Sequence, residues 1–333
     1  MKRTWLRIVL IVIAILVLVY YLGPRPSTPV YDPVLPVVPQ EAATLEQFIV
    51  DKEAAHRLKP DNEARIVWYD SVPRKTKYSV VYLHGFSASQ EEGDPVHRNF
   101  ARRYGCNLFL SRLDGHGIDT SDPLLTMTAR GLWEDAKQAL AIGKVLGDKV
   151  ILMTTSTGGT LALKLAATYP NDIFAIINMS PNIAINNDLV FLSNNPWGLQ
   201  ISQMVMHGKY LESKNFSPQR SQYWNNRYRL EAVGELQSLV ETTMRPNTFR
   251  SVKQPVLNLY YYKDEQHQDP TVKVSAILQM EKQLGTPDSL KEAIAIPEAG
   301  AHVLGCSFVS HDIPGVERAI DAFAEKKLGL QPK

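Results

Sequence analysis

Short apolar segments alternate with amphipathic segments along most of the chain. The later apolar segments are hydrophobic at consecutive positions, which is typical of strands covered on both faces of a sheet. The predicted strands are RIVWYD, YSVVYLHG, NLFLSRLDG, KVILMTT, IFAIINMS, PVLNLYYY and AIAIP. The predicted helices are TLEQFIVDKEAAHRL, VHRNFARRYG, ARGLWEDAKQALAIGKVLG, GGTLALKLAATYP, TVKVSAILQMEKQLG and IPGVERAIDAFAEKKLG. This alternation predicts an α/β fold with a mostly parallel sheet and helices on both faces.

The alternation stops over residues 185–247, where aromatic and polar residues occur without the period of a strand. We interpret this stretch as a helical insertion that lies over the carboxyl edge of the sheet as a lid. The body of the protein, including the insertion, is then a domain of residues 44–333.

The amino terminus carries an unbroken apolar run from Ile8 to Leu22, preceded by Lys2, Arg3 and Arg7. As a helix, this run spans ~22 Å, which lies between the length of a signal peptide and that of a full membrane span. No small-residue cleavage site follows it. We therefore predict that residues 1–22 form a single-pass membrane anchor with a cytoplasmic N-terminus and an extracytoplasmic body. The alternative is a cleaved signal segment on a secreted or periplasmic protein.

A proline-rich linker is predicted at residues 23–43. Its prolines block helix and sheet ladders and favour extended polyproline II structure, so the linker should behave as a semi-rigid stalk that holds the body away from the bilayer. The prolines are Pro24, Pro26, Pro29, Pro33, Pro36 and Pro39.

Composition excludes several classes of function. The chain is 44% hydrophobic and 21% charged with a formal net charge of +2, so it lacks the basic footprint of a nucleic-acid-binding protein. Its two cysteines, Cys106 and Cys306, lie far apart in the sequence and outside any metal-ligand spacing. We therefore expect no metal site and no disulfide framework.

The predicted strand KVILMTT runs directly into a turn of hydroxyl and glycine residues that an apolar helix follows at once. Ser156 lies in this turn, with Thr154 two residues before it and Gly158 two residues after it. A nucleophile elbow has small residues at both positions, because the serine backbone is strained and the helix packs close behind it. Thr154 stands where the G-x-S-x-G pattern has its first glycine. We predict that Ser156 is a nucleophile, and the alternative is a structural turn.

A second predicted strand, YSVVYLHG, ends in His84, Gly85 and Phe86. Gly85 should allow the chain to turn so that a backbone N–H points at the reacting centre. We predict an oxyanion hole formed by the N–H groups of Phe86 and Thr157. His84 by itself is more typical of a structural histidine.

A general base and its acid are predicted near the carboxyl end of the chain. His302 follows the last predicted strand among small residues, in AIAIPEAGAHVLG, and we predict that it is the general base. The acid accepts a hydrogen bond from imidazole Nδ1. Asp264 directly follows the strand PVLNLYYY, whereas Asp269 directly precedes the next helix. We favour Asp269 as the acid and keep Asp264 as the alternative.

Ser156, an aspartate and His302 occur in the chain order of α/β-hydrolases, and the sequence resembles that superfamily over roughly residues 64–328. Within it, LHGFSAS, RLDGHG and the insertion are similar to the branch of monoacylglycerol lipases and carboxylesterases. The resemblance implies a lid that contributes an acyl pocket, and acyl transfer to water through an acyl-enzyme without a metal or organic cofactor.

The expected function is that of a membrane-anchored serine hydrolase of carboxylic esters, with acylglycerols or other lipid-like esters as substrates. A peptidase or amidase is the alternative within enzymes, since the same triad supports it. A non-catalytic ligand-binding protein on this fold is a further alternative, because fold alone does not establish activity. A membrane scaffold would leave the grouping of Ser156, Gly85 and His302 at strand ends without a reason.

Overall fold

A computed structural model describes residues 2–213 and 217–333 of the chain. The strands are β1 (Arg65–Val67), β2 (Thr76–Leu83), β3 (Asn107–Leu110), β4 (Gly147–Thr155), β5 (Ile173–Met179), β6 (Tyr210–Glu212), β7 (Arg227–Arg229), β8 (Val256–Tyr260) and β9 (Lys291–Ala295). The helices are α1 (Lys2–Tyr21), α2 (Ala42–Ala54), α3 (Val96–Tyr104), α4 (Ala129–Leu146), α5 (Thr157–Thr168), α6 (Gly198–Val205), α7 (Pro218–Tyr223), α8 (Glu231–Thr243), α9 (Pro246–Ser251), α10 (Val274–Gln283) and α11 (Ile313–Lys326). Short 3₁₀ helices lie at Gln90–Gly93, Val190–Asn194 and Asp288–Leu290.

Within the described residues, seven strands form one sheet in the order β1-β3-β2-β4-β5-β8-β9. The strands pair in parallel except that β1 pairs antiparallel with β3. Each strand overlaps one of the apolar segments predicted from the sequence, so the predicted α/β architecture is confirmed. The carboxyl ends of β2, β4 and β8 meet at one edge, where ligands bind in folds of this kind.

The sheet is packed on both faces, as the consecutive apolar positions predict. Leu152 of β4 belongs to the apolar cluster that contains Trp133 of α4. The next residue, Met153, belongs to the opposite cluster, with Phe323 of α11. Neighbouring residues of a strand point to opposite faces, so a strand covered on both sides needs apolar residues at every position.

The insertion lies between β5 and β8 and contains α6 to α9. It is mainly helical, as predicted, but it also contains an antiparallel ribbon in which β6 pairs with β7. The sequence analysis missed this ribbon because its strands have only three residues each, YLE and RYR, and lack an apolar alternation. Residues 214–216, which the prediction included in the insertion, lie outside the described residues.

The proline-rich linker runs along the body instead of projecting from it as a stalk. Side chains of α4 and α8, together with Tyr169 directly after α5, bind its polar groups at four consecutive residues. Tyr31 Oη lies 2.7 Å from Thr242 Oγ1, Trp133 Nε1 donates to Asp32 O (2.9 Å), Tyr169 Oη donates to Pro33 O (2.8 Å) and Lys137 Nζ donates to Val34 O (2.8 Å). An extended segment makes no internal hydrogen bonds, so its carbonyl oxygens are free to accept from these donors.

The helix α1 contains a 19-residue stretch, Arg3–Tyr21, with a mean hydropathy of 2.4 and no residue buried against the body. It is long and apolar enough to cross a membrane, and a signal sequence has the same features. Its last turn meets the insertion at Trp197, where the indole Nε1 donates to Val19 O (2.9 Å) and the backbone N–H donates to Pro24 O (2.9 Å).

Candidate active site

Ser156 lies at a sharp turn between β4 and α5, with φ 53° and ψ −114°. A non-glycine residue in such a region costs on the order of 1–3 kcal/mol, and it persists only where the surroundings hold it. Here, backbone hydrogen bonds hold it on both sides, because Ser156 N–H donates to Met179 O (3.0 Å) and Ser156 O accepts from the amides of Gly159 and Asn182 (both 2.9 Å). The residue at this strained turn lines a cavity.

Atoms close to the turn restrict which residues can flank Ser156. A Cβ added at Gly158 would run into the carbonyl oxygen of Leu83, and one added at Gly159 would lie 2.6 Å from Pro181 Cβ. The position of the first elbow glycine is different, since the fully buried Thr154 donates a hydrogen bond to Asn178 Oδ1 (2.7 Å) on the neighbouring strand. A threonine is accommodated there because its hydroxyl has a partner.

His302 lies in the loop after β9, and its Nδ1 is 2.7 Å from Oδ2 of Asp269. The Asp269 carboxyl is fully buried, and its other oxygen accepts the backbone N–H groups of Thr271 (2.8 Å) and Val272 (3.0 Å). The carboxylate is therefore held at both oxygens, and the imidazole is held at Nδ1.

Asp264 lies elsewhere, in an exposed turn before Asp269. Its carboxyl binds His267 Nδ1 (2.8 Å) and accepts the backbone N–H groups of Gln266 and His267. Of the two aspartates that the sequence left open, the structure brings Asp269 to His302 and leaves Asp264 at the surface. This turn lies in the connection between β8 and α10.

The opposite charges of His302 and Asp269 stabilise each other. Burial acts to raise the pKa of Asp269 and to lower the pKa of His302, because it disfavours the charged form of each. Their mutual attraction and hydrogen bond oppose burial and prevail. The pKa of Asp269 lies below its ordinary value, and the pKa of His302 lies above its ordinary value.

The N–H groups predicted to form an oxyanion hole lie on two segments beside Ser156. Thr157 is the first residue of α5, where backbone N–H groups lack intrahelical partners. Among the hydrogen bonds of the described residues, none uses the N–H of Phe86. Gly85 is required for close approach, since a Cβ there would lie 3.0 Å from Ser156 Cβ. The sequence analysis attributed the glycine at this position to a turn of the backbone, whereas the structure gives a steric reason for it.

Two buried histidines support the loop that carries Phe86. His84 Nε2 accepts the Leu113 N–H (3.1 Å), so its Nδ1 donates to Gly85 O (2.8 Å). His116 Nε2 accepts the N–H of Ser87 (3.0 Å). Burial lowers the pKa of both rings, to about 4 for His116, so both remain neutral and keep these bonds. The sequence analysis indicated a structural role for His84.

A cavity of about 580 Å³ joins these parts. Ser156, Thr157 and His302 line it together with Phe86, and residues of the insertion form the opposite wall. The insertion contributes Leu211, Tyr228, Val233 and Leu236 as well as the polar Ser213 and Arg220. The sequence analysis did not single out Glu92, a buried acid that also lines this cavity. The sequence signal that could have identified it is the pair of acidic residues, Glu91 and Glu92, that follows the H-G-F motif.

Comparisons with solved structures give the same fold. The chain is similar to a structure described with LipS and LipT, two metagenome-derived lipolytic enzymes, with a TM-score of 0.64 and 19% identity over 81% of this chain and 100% of that chain. It is also similar to a monoglyceride lipase from Saccharomyces cerevisiae, with a TM-score of 0.58 and 12% identity over 80% and 90% of the two chains. A third similar structure is Est1E from Butyrivibrio proteoclasticus with ferulic acid bound, with a TM-score of 0.55 and 17% identity over 80% of this chain and 95% of that chain.

No curated protein matches the sequence. A family model described as serine aminopeptidase, S33 (Hydrolase_4), matches residues 74–276. This range runs from β2 through the elbow and the insertion to the start of α10, so it contains most of the sheet and Ser156. The chain therefore belongs to the serine aminopeptidase, S33, family of the α/β-hydrolase fold, and it is a serine hydrolase.

Proposed function

We propose that the protein is a membrane-anchored hydrolase of lipid-like carboxylic esters. In this proposal Ser156 is the nucleophile, His302 the general base and Asp269 the acid that orients it. The backbone N–H groups of Phe86 and Thr157 form the oxyanion hole. The observation that carries the proposal is the buried Asp269–His302 hydrogen bond of 2.7 Å beside the strained Ser156 in one cavity.

The proposed reaction is acyl transfer to water. Ser156 Oγ attacks the ester carbonyl while His302 Nε2 takes its proton, and Asp269 stabilises the imidazolium that forms. The oxyanion is bound by the Phe86 and Thr157 amides, each of which is worth about 3–4 kcal/mol of transition-state stabilisation. His302 then protonates the departing alcohol and activates a water molecule, which releases the acid from the acyl-enzyme.

The surface of the insertion supports a substrate that comes from a membrane. Its first part, from residue 188 to residue 206, has large apolar side chains that remain exposed. They are Leu189 (67% exposed), Phe191 (47%), Ile201 (42%), Met204 (74%), Val205 (68%) and Met206 (46%). Trp197, in the middle of this segment, binds the last turn of α1. An apolar surface beside a membrane anchor is suited to contact the same bilayer.

The same segment also reaches the reaction cavity. Val190 of this segment lines the cavity that contains Ser156, as do Ile185 and Asn187 just before it, so the exposed surface and the cavity wall lie on adjoining stretches of the chain. We propose that ester substrates pass from the bilayer along this stretch. In this proposal the N-terminus of α1 is cytoplasmic and the body lies on the opposite side of the membrane. Lys2, Arg3 and Arg7 support this orientation through the positive-inside rule.

Labelling with a fluorophosphonate tests the nucleophile. We expect covalent labelling of the wild-type protein and none of Ser156→Ala. Ser213→Ala is the matched control, because Ser213 is a hydroxyl residue that lines the same cavity. Labelling that persists in Ser156→Ala would overturn the assignment of Ser156, and a wild-type protein that is not labelled would favour a ligand-binding role.

Bond type and chain length need a separate experiment. The family description names an aminopeptidase, so aminoacyl p-nitroanilides should be compared with p-nitrophenyl esters of increasing acyl length. We expect turnover of the esters, with kcat/KM rising beyond the shortest chains because Leu211, Val233 and Leu236 give the cavity an apolar part of its wall. Turnover of the anilides without turnover of the esters would establish a peptidase instead.

A further inference from the structure

Glu92 is a buried acid that the proposed reaction leaves without a role. It lies in the 3₁₀ helix Gln90–Gly93, is 2% exposed, and lines the same cavity as Ser156 and His302. A carboxyl group is costly to bury, so one at a reaction centre calls for a specific partner.

The Glu92 carboxyl is packed against the loop that carries the proposed oxyanion hole. Its Oε2 accepts the backbone N–H of Gly85 at 2.5 Å. A Cβ at Gly85 would lie 2.8 Å from Glu92 Oε2 on one side and 3.0 Å from Ser156 Cβ on the other. The Gly85 backbone is thus held between the Glu92 carboxyl and the nucleophile. Trp224 of the insertion lies close enough to the Glu92 carboxyl to lower its pKa.

Three consecutive peptide units of this loop are fixed by side chains. The N–H of Gly85 donates to Glu92, and the N–H of Ser87 donates to His116. Between them, the carbonyl oxygen of Gly85 accepts from Nδ1 of His84. The N–H of Phe86 belongs to the same peptide unit as that carbonyl and points the opposite way in a trans peptide. The direction of the Phe86 N–H therefore depends on these bonds.

The charge state of Glu92 affects this arrangement. Burial raises its pKa to about 7, although His302, the Gly85 amide, Arg220 and Trp224 act in the opposite direction. An uncharged carboxyl still accepts the Gly85 N–H through its carbonyl oxygen. An ionised one would add a negative charge beside the site where the oxyanion develops, which opposes the reaction.

We propose that Glu92 is a positioning residue that, as an uncharged acid, holds the Gly85 amide and so aims the Phe86 N–H at the oxyanion. This inference rests on the proposed acyl-transfer function and assigns a further residue to it. Ionisation of Glu92 weakens the reaction, and Glu92→Gln, which keeps the carbonyl acceptor without a titratable proton, preserves it.

The titratable and charged groups that face Glu92 determine the expected pH profile. They are His302, Arg220, Tyr82 and Cys306. Burial raises the pKa of Tyr82, and it raises the pKa of Cys306 to about 12, so neither ionises near neutral pH. An ionised Glu92 raises the pKa of His302. Glu92 is uncharged on the acid limb of kcat/KM, so Glu92→Gln should leave that limb in place and abolish the alkaline fall near pH 7.

The experiment compares Glu92→Gln and Glu92→Ala with Glu91→Gln in the full-length protein. Glu91 is a matched control, because it shares the 3₁₀ helix but its charge neighbours are Asp94, Asp61, Arg98 and Arg65. The readout is kcat and KM for p-nitrophenyl butyrate from acid to alkaline pH. We expect Glu92→Ala to lose about 10²-fold in kcat, as when an oxyanion donor is lost, with KM nearly unchanged. Glu92→Gln should keep wild-type kcat and lose the alkaline fall.

Several outcomes would overturn the inference. One is a folded Glu92→Ala variant with the kcat of the wild type. A second is a Glu92→Gln variant that loses as much kcat as Glu92→Ala, and a third is a Glu92→Gln variant that retains the alkaline fall of the wild type. If Glu92→Ala does not fold, the Glu92→Gln pH profile decides. Infrared difference spectra give a readout without substrate. Burial also raises the pKa of Glu91 to about 7, so the protonated carboxyl band that the wild type loses on raising the pH should weaken in Glu92→Gln and keep the Glu92 share in Glu91→Gln. A wild-type protein without ester turnover or labelling would contradict the proposed function, whereas a band that is unchanged in Glu92→Gln would contradict the assignment of Glu92.

Discussion

The indole Nε1 of Trp197 donates a hydrogen bond of 2.9 Å to the carbonyl oxygen of Val19. It joins the insertion above the reaction cavity to the last turn of the apolar helix α1. A Cβ at Gly23 would collide with the same indole, so the chain leaves α1 in close contact with the insertion. The exposed apolar residues around Trp197 are consequently held next to the end of α1.

A charge on this surface should impair hydrolysis of a membrane-borne ester. We expect Met204→Lys to raise the apparent KM for a monoacylglycerol in phosphatidylcholine vesicles roughly fivefold to tenfold, because burial of a methionine is worth about 1.5–3 kcal/mol when complete. Turnover of a soluble short-chain ester should not change. Val72→Lys is the control, since Val72 is 66% exposed in the loop before β2, at the opposite edge of the sheet. Equal effects of Met204→Lys on both substrates would contradict membrane contact.

Substitution of the two candidate acids should have very different effects. Asp269→Asn removes the charge that stabilises the His302 imidazolium, and we expect a fall in kcat of about 10⁴-fold. Asp264→Asn should leave kcat close to that of the wild type, because Asp264 binds His267 in an exposed turn. The measurement is p-nitrophenyl ester turnover, with thermal unfolding to check that both variants are folded. A large loss of kcat in Asp264→Asn would identify Asp264 as the acid instead of Asp269.

The pH dependence of kcat/KM should reflect the environment of His302. The base must be neutral to accept the proton of Ser156, so activity should rise with pH through the pKa of His302. Burial acts to lower this pKa, but the charge and hydrogen bond of Asp269 outweigh it, so we expect the midpoint of the acid limb above 6.5. A pH profile with a soluble ester measures this midpoint. A midpoint below 6.5 would mean that Asp269 does not stabilise the charged ring.

A methyl group at Gly158 should disrupt the elbow. The added Cβ would meet the backbone oxygen of Leu83, which cannot move without shifting β2. We expect Gly158→Ala to lower the melting temperature and to abolish fluorophosphonate labelling. Gly208→Ala is the matched control, because the nearest atom to its added Cβ is 4.0 Å away. Retained labelling in Gly158→Ala would show that the turn relaxes without loss of the nucleophile.

Much of the fold was predictable because its sheet is covered on both faces. Consecutive apolar positions in β4 and β8 can be read directly from the sequence, and each became a buried strand. The path of the linker was not predictable. Its proline content indicates an extended backbone but gives no information about the donors on other elements, such as Trp133 and Lys137, that bind its carbonyl oxygens.

The candidate site was predictable to different degrees. Ser156 has a local signature in the strand, the turn and the glycine two residues later. The choice between Asp264 and Asp269 depends on how the turn after β8 folds. The sequence favoured Asp269, which precedes the next helix, and left Asp264 open as the alternative. Glu92 was missed because its contact with Gly85 follows from the three-dimensional course of the loop, and nothing in the sequence separates it from Glu91.

The contact between the linker and the body determines how the enzyme would encounter its substrate. Side chains of the body hydrogen-bond to residues 31–34, so this part of the linker does not act as a flexible connection that lets the body reach distant substrates. Once α1 is inserted in a bilayer, as proposed, encounters with esters depend on lateral diffusion within one leaflet. The rate would then follow the mole fraction of ester in the surrounding lipid rather than its bulk concentration.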